Sequence, residues 1–248
     1  MNKKFSYLQD TAKRIHIAPV GYEEDRIVEP ILVNKADKVW LLTNYPDEKE
    51  ALKFLKEVER RLEENNIKFQ RKKTDIFNMI DVLQKMNEIL KIENGNDIYV
   101  NISSGSKITA VALALGCMMW QGKPYYVKPE DYKLHRTIED PISTGVKDIF
   151  RINLFPIDIP EIEHLDILSK IKKSNEKVTR KKLIDFLIDQ GKIKEKSSLQ
   201  AKYNLLSRKY LKPLLDMGYI EFDEIERLIV LTSDGSAALK IFGEDTLK

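Results

Sequence analysis

The residues best suited to chemistry lie in one short segment, Asn101-Ile102-Ser103-Ser104-Gly105-Ser106-Lys107. The segment is rich in hydroxyl groups, contains a glycine and leads directly into an apolar helix pattern over residues 106–121. Backbone N–H groups at a helix N-terminus, the positive end of the helix dipole and a lysine suit an anionic group such as phosphate. The alternative is a simple turn and helix cap, since Ser and Gly are common turn residues.

A second candidate loop, Pro19-Val20-Gly21-Tyr22-Glu23, follows the first predicted strand. Ligands of open parallel sheets bind beyond the carboxyl ends of the strands, which is where both loops are expected. The sequence contains neither a GxGxxG nor a GxxxxGK[ST] motif. It therefore gives no direct support for a dinucleotide dehydrogenase or a nucleoside triphosphatase.

The sequence contains few cysteine and histidine residues for metal or thiol chemistry. The single cysteine, Cys117, excludes an internal disulfide framework and a Cys-rich zinc site. The three histidines, His16, His135 and His164, do not form a ligand cluster in the sequence, so no metal site is predicted. We also predict no catalytic residue.

Composition indicates a folded protein without a membrane span. Of the 248 residues, 42% are hydrophobic and 33% are charged, which is enough apolar material for a core. No window reaches about 18 uncharged apolar residues, so no transmembrane helix is expected. The first four residues are not followed by an apolar stretch, so we expect no secretory signal and a cytoplasmic location.

Strand and helix patterns alternate in the first half of the chain. Residues 1–12 lack periodicity and are predicted to be a loose tail. Five strands are predicted over residues 14–20, 38–42, 67–70, 97–102 and 124–127, with a sixth possible over 149–154. Helix patterns fill the intervals at residues 23–35, 47–65, 76–91 and 106–121. This alternation is typical of an α/β fold with a mostly parallel sheet covered on both faces.

The second half has a different rhythm. Prolines near residues 156–161 predict a boundary between a first domain, 13–156, and a second, 161–248. The second domain shows helix patterns over 162–172, 179–191 and 198–217, two short strands over 219–222 and 227–231, and a last helix. That order is typical of a winged helix-turn-helix. The third helix should bury one apolar face and be kinked or divided by Pro213, and the face comprises Leu199, Tyr203, Leu206, Tyr210 and Leu214.

Positive charge is concentrated in the second domain. Residues 172–212 contain thirteen Lys/Arg and four Asp/Glu, a net of +9, which suits a polyanion such as DNA. We predict that the third helix reads double-stranded DNA in the major groove through Ser198, Gln200, Lys202, Asn204 and Arg208. We predict that the phosphate contacts come from Arg180, Lys196 and Lys209, and from the wing residue Arg227. The alternatives are a solvated basic surface, or a domain that only dimerises or docks a protein.

With these motifs in view, residues 14–155 resemble a CARF domain (CRISPR-associated Rossmann fold). The whole chain resembles archaeal regulators that join a CARF domain to a winged helix. The fourth-strand loop of that family has the form Asn-x-Thr-Gly-Gly-Thr-Lys, and residues 101–107 read NISSGSK, with Ser104 in place of the first glycine. Residues 20–30, VGYEEDRIVEP, are similar to the first-strand region of these regulators.

The resemblance implies a Rossmann-like domain that forms a homodimer. Two copies of the loop would bind a cyclic oligoadenylate, most often the four-adenosine ring, across a twofold axis, with no other cofactor. The implied ligand-binding residues are Gly21, Tyr22, Asn101, Ser103, Ser104, Gly105, Ser106 and Lys107. Among these, Asn101 would brace the loop, Gly21 and Tyr22 would lie near an adenine or a sugar, and Lys107 would contact phosphate.

The sequence therefore predicts a transcriptional regulator that binds DNA in response to a cyclic oligoadenylate. A competing hypothesis is a metal-free ring nuclease, in which a ribose 2′-hydroxyl attacks its neighbouring phosphate while Ser106 and Lys107 hold the developing charge. No general base is evident for that reaction, because His16 lies in a strand and the other histidines are far from the motifs. A scaffold that binds neither nucleotide nor DNA is the third alternative.

Overall fold

The computed structural model of this chain describes residues 11–46, 48–135, 137, 139–155, 157 and 159–243. Most of the predicted N-terminal tail, and Pro156 at the predicted domain boundary, lie outside these residues. The chain divides into two compact units, Met1–Asp158 and Ile159–Lys248. Within the described part of the chain, no helix has the length and apolar content needed to cross a bilayer.

The first unit is built on a six-stranded sheet in the order β3-β2-β1-β4-β5-β8. Its strands are β1 Arg14–Pro19, β2 Lys38–Asn44, β3 Lys68–Thr74, β4 Asp97–Asn101, β5 Lys123–Lys128 and β8 Asp148–Arg151. The first five are parallel, and β8 pairs antiparallel with β5. A separate two-stranded hairpin joins β6, Asp131–Tyr132, to β7, Ser143–Thr144.

Four helices connect the parallel strands: α1 Asp25–Val33, α2 Ala51–Glu64, α3 Met79–Ile92 and α4 Lys107–Trp120. They bury apolar residues against a sheet whose central strand β1 is almost completely inaccessible. The predicted fold class, a Rossmann-like mostly parallel sheet, is confirmed. The apolar pattern of α4 favours burial on most sides, but Ile108 and Val111 in its first turns are 39% and 49% exposed.

Two other boundaries differ from the prediction. Strand β3 continues to Thr74 because its seven residues pair in register with the whole of β2. Helix α2 begins at Ala51 rather than at residue 47, after a cis peptide bond between Tyr45 and Pro46. Both changes bring residues after β2 and β3 to the carboxyl edge of the sheet.

The second unit combines helices with a three-stranded sheet in the order β10-β11-β9. Its helices are α5 Ile162–Lys173, α6 Arg180–Asp189, α7 Leu199–Leu205, α8 Lys212–Asp216 and α9 Ser233–Ala238. Its strands are β9 Lys177–Val178, β10 Ile220–Asp223 and β11 Leu228–Leu231. One apolar cluster, with Leu168, Leu206 and Tyr210 among its buried members, holds these elements together. This is the predicted winged helix arrangement.

The predicted helix over residues 198–217 is divided into α7, a π-helical turn at Leu206–Leu211, and α8. Pro213 lies in the first turn of α8, where its missing N–H costs nothing. Leu199 was predicted to be buried, and this is wrong, since it is 69% exposed. It is the first residue of α7, at the exposed start of the helix, whereas Tyr203 and Leu206 on the same face pack against the core.

We predict that Gly235→Ala destabilises the winged helix unit. A Cβ at this position would lie 2.1 Å from the Tyr219 carbonyl oxygen and 2.8 Å from a methyl group of Leu231. The backbone must shift to relieve this contact, at a cost of about 1–3 kcal/mol. Thermal unfolding should show a lower midpoint for Gly235→Ala than for the control Ser236→Ala in the same helix. Equal midpoints would contradict the prediction.

Candidate functional site

Asn101, the last residue of β4, anchors the loop predicted to bind a ligand. Its side chain is fully buried. The amide Nδ2 donates to the Arg26 carbonyl oxygen at 2.8 Å, and Oδ1 accepts from the Ser103 N–H at 2.8 Å. Asn101 therefore connects this loop to helix α1, consistent with the bracing role that the resemblance implies.

The two serines that follow connect the loop to neighbouring strands. Ser103 Oγ accepts from the Val127 N–H at 2.6 Å. Ser104 is buried, and its hydroxyl donates to the Pro19 carbonyl oxygen at 2.6 Å. The hydroxyl of Ser104 thus points towards β1, so the residue that replaces a family glycine is accommodated inside the fold.

The loop lies against the loop after β1 by direct backbone contact. Gly105 has φ +79°, and a Cβ there would lie 2.9 Å from the Pro19 Cβ. A Cβ at Gly21 would lie 3.0 Å from the Gly105 nitrogen. Gly105 is therefore required for its left-handed conformation and for space, whereas a side chain at Gly21 would need a small shift of the neighbouring backbone.

Ser106 is the N-cap of α4. Its Oγ accepts from the Thr109 N–H at 3.0 Å and donates to the Ile76 carbonyl oxygen at 2.5 Å. The hydroxyl is thus occupied by structural contacts. What remains for an anion is the pair of first-turn N–H groups of Lys107 and Ile108, which lack intrahelical acceptors, and the exposed side chain of Lys107.

A cavity of about 280 Å³ opens at the carboxyl edge of the sheet. Its lining includes Gly21 and Tyr22 after β1, Asn44 and Glu48 around the end of β2, Ile76 and Phe77 after β3, and Ser103, Gly105 and Ser106 after β4. The structure thus brings the two predicted loops together around one cavity. Asn101 and Ser104 lie behind its wall, and Lys107 follows the lining residue Ser106.

The sequence analysis did not identify several of the lining residues, among them Arg26, Asn44, Glu48, Phe77 and Tyr132. Extending the second and third predicted strands by a few residues would have placed Asn44 and Phe77 at the same edge. The β6–β7 hairpin that carries Tyr132 had no clear pattern in the sequence.

One wall of the cavity contains a buried ion pair. Arg26 Nη1 lies 2.8 Å from the Glu23 carboxylate, and both side chains are only 5% exposed. Arg26 Nε also donates to the Val127 carbonyl oxygen at 2.9 Å, and Ser143 donates to Glu23 at 2.8 Å. The guanidinium lies 5.1 Å from the ring centre of Tyr126. These two charges are compensated within the protein.

A second carboxylate, Glu48, faces the cavity with only neutral hydrogen-bond donors described around it. The Tyr22 hydroxyl donates to Oε2 at 3.0 Å, and Asn44 Nδ2 donates to Oε1 at 2.6 Å. Tyr22 is in turn held edge-on against Phe54, with ring centres 5.4 Å apart. The carboxylate is therefore fixed in orientation.

His16 lies in the central strand and not at the cavity. Its Nδ1 is 3.0 Å from the Tyr125 hydroxyl, and its ring stacks on Tyr99. Burial, with a smaller effect of the Arg14 charge, lowers the pKa of His16 from 6.5 to about 4. Burial also raises the pKa of Tyr125 well above its usual range. Both groups are neutral near pH 7, and His16 is too enclosed to act as a base at the loop.

We predict that His16 makes the stability of the protein depend on pH. Below pH 6.5 the unfolded chain binds a proton that folded His16 does not accept until about pH 4, so stability decreases across this window. The loss between pH 7.5 and 4.5 should be about 2–3 kcal/mol. Denaturant unfolding should show a smaller loss for His16→Gln than for wild type. An equal loss in both proteins would disprove the assignment.

The residues predicted to read DNA lie along one run of the second unit. Ser198 caps α7, accepting from the Ala201 N–H at 3.3 Å. Gln200 and Asn204 are exposed and joined by a 3.1 Å hydrogen bond across one helical turn. Lys202 is half-buried, and Arg208 is exposed on the π turn.

The predicted phosphate contacts are more dispersed. Lys196 is exposed in the segment before α7. Lys209 Nζ lies 2.6 Å from Glu163, and the Arg180 guanidinium lies 4.7 Å from the ring centre of Phe222. Arg227 is exposed in the β10–β11 turn with φ +54°. Lys209 and Arg180 therefore already have partners within the protein. DNA would have to displace these partners in order to bind the two side chains.

The two units correspond to two separate domain families. Residues 14–132 match the family described as "HFX_2341_N:-like, N-terminal". Residues 163–243 match the DUF6293 C-terminal winged helix domain. Each match covers less than half of the chain, so the two units are similar to these two domain families in this order. The order confirms the predicted architecture, a Rossmann-like domain followed by a winged helix domain.

Comparison with individual proteins gives one curated relative. The uncharacterized protein MJ1513 of Methanocaldococcus jannaschii is 30% identical over 213 residues, which cover 74% of this chain and 63% of that protein. The chain therefore spans less than two thirds of the relative's length.

Solved structures are more distant. Can2 from Sulfobacillus thermosulfidooxidans, in complex with cyclic tetra-adenylate, aligns over 93% of this chain and 64% of its own, with 14% identity and a TM-score of 0.41. Csm6 from Enterococcus italicus, bound to cyclic hexa-2′-fluoro-hexa-dAMP, aligns over 84% and 56%, with 13% identity and a TM-score of 0.41. At these scores neither structure bears on the ligand of this chain.

Proposed function

We propose that this chain is a dimeric, DNA-binding transcriptional regulator that senses a cyclic oligoadenylate at the loop between β4 and α4. The proposal is carried by the loop after β4, which packs closely against the loop after β1 through Gly105 and leads into α4. Lys107 is exposed at the first position of that helix. The winged helix domain supplies the DNA-binding half.

The geometry of the loop supports a division of roles within the predicted site. Ser103, Ser104 and Ser106 use their hydroxyls to hold the loop in place. Phosphate would then be bound by the first-turn N–H groups and by Lys107. The cavity of about 280 Å³ lies at the lower end of the range for small ligands, which suits one nucleoside of a larger ring.

An apolar strip on α4 supports pairing of two chains. Ile108 and Val111 are exposed directly after Lys107, and a helix this apolar is expected to be covered. A twofold contact through this strip would place two loops near one axis. A cyclic ligand with its own symmetry fits an isologous interface of this kind.

We predict that Lys107→Ala weakens the binding of cyclic tetra-adenylate at least tenfold, because it removes a charge-assisted phosphate contact. The control is Lys91→Ala, which removes an exposed lysine at the end of α3. Isothermal titration should give one ring per two chains for wild type and for the control. Recovery of the intact ring separates binding from slow cleavage. If Lys107→Ala and wild type have the same affinity, Lys107 does not bind the ligand.

For the second unit we predict ligand-tuned DNA binding. If the cyclic ligand prefers one of two dimer arrangements, its binding changes the affinity of the protein for DNA. DNA then changes the affinity of the protein for the ligand by the same free energy. Gel-shift titrations on the chain's own upstream DNA should show that the ring changes the dissociation constant at least fivefold. Lys196→Glu, which removes a predicted phosphate contact, should weaken binding at all sites and reduce its salt dependence, whereas the control Lys240→Glu should not.

Two results would contradict the prediction of ligand-tuned DNA binding. An unchanged DNA affinity with and without the ring would leave a DNA-binding protein without this sensor. If no duplex binds at low salt, the winged helix would be assigned instead to dimerisation or protein docking.

A further inference from the structure

We propose that Glu48 determines the sugar specificity of the cavity, and that its carboxylate accepts a hydrogen bond from a ribose 2′-hydroxyl of the bound ligand. The proposal rests on the proposed function and assigns a new role within the same site. Glu48 lies four residues beyond the end of β2, outside both loops that the sequence analysis identified.

The charges around the cavity argue that Glu48 meets a neutral group. Among the described lining residues, Arg26 carries the guanidinium, and Glu23 holds it. The hydrogen bonds described for Glu48 come from neutral donors, and within the described residues no ion pair involves this carboxylate. A phosphate placed beside it would be repelled, whereas a hydroxyl would be attracted. The phosphate therefore belongs at Lys107, and the sugar or the base belongs at Glu48.

The hydrogen bonds of Glu48 define what it can still bind. Tyr22 and Asn44 each use one lone pair, on different carboxylate oxygens. An ionised carboxylate only accepts hydrogen bonds, and each oxygen has a further lone pair. The ligand group must therefore be a donor, which in a nucleotide ring means a 2′-hydroxyl or a base amine.

The position of Glu48 in the sheet favours the 2′-hydroxyl over the base amine. In the dinucleotide-binding members of the Rossmann fold class, an acidic residue near the end of the second strand bonds a ribose 2′-hydroxyl, and Glu48 has a comparable place here. The base has other partners in the same cavity, since Phe77 and Tyr132 line it and are 63% and 49% exposed. Exposed aromatic rings of this kind stack on nucleobases.

The test compares cyclic tetra-adenylate with the same ring made entirely of 2′-deoxyadenosine. Wild type should bind the ribose ring roughly 10- to 100-fold more tightly, as expected for a hydrogen bond to a charged group. Glu48→Ala should bring the ribose-to-deoxyribose ratio close to one. Glu50→Ala, an exposed neighbour of the same charge, should keep the wild-type ratio, and Lys107→Ala should weaken both rings equally.

Each outcome separates this inference from the proposed function. If both rings bind wild type equally, Glu48 does not read the sugar, while the sensor role stands. If Glu48→Ala leaves the ratio unchanged but removes discrimination against a cyclic tetra-inosinate ring, Glu48 reads the base amine and the proposal is wrong. If neither ring binds folded wild type, both proposals fail. Glu48→Gln, which keeps the shape of the side chain, should lower the ratio with an unchanged melting temperature.

Discussion

The candidate site depends on one close approach, in which the backbone after β4 lies against the backbone after β1. A Cβ at Gly21 would be 3.0 Å from the Gly105 nitrogen, and a Cβ at Gly105 would be 2.9 Å from Pro19. A side chain at Gly105 would force this contact to open, and one at Gly21 would require the neighbouring backbone to shift by a few tenths of an ångström. The hydrogen bond from Ser104 to the Pro19 carbonyl closes the same contact from the other side.

A second feature is the separation of charges around this contact. Arg26 and Glu23 neutralise each other inside the wall, whereas Lys107 stays in solvent at the helix start. Under the proposed function, this arrangement would hold the phosphate of a ligand at the rim, beside Lys107, and leave the interior for the uncharged parts of the ligand. The desolvation cost of a buried ion pair offsets much of the attraction between its charges. This pair therefore contributes more to the orientation of the wall than to the stability of the fold.

In the second unit, the irregular backbone segment lies in the helix that is predicted to read DNA. The π turn at Leu206–Leu211 puts Leu206, Tyr210 and Leu211 into the core and leaves Arg208 exposed. His164 lies 3.1 Å from the Lys209 carbonyl oxygen within the same turn, which stabilises this irregular segment.

Periodicity alone determined the alternation of strands and helices, the winged helix order and the loop at Asn101–Lys107, because these patterns reflect local burial and turn chemistry. The tertiary structure decided which residues from distant loops share one cavity, so Glu48, Phe77 and Tyr132 became visible only there. It also decided that Leu199 is exposed, since spacing shows which residues share a helix face but not how far the core extends along that face. Local propensity acts over a few residues, whereas the assembly of a site depends on contacts between segments separated by many tens of residues.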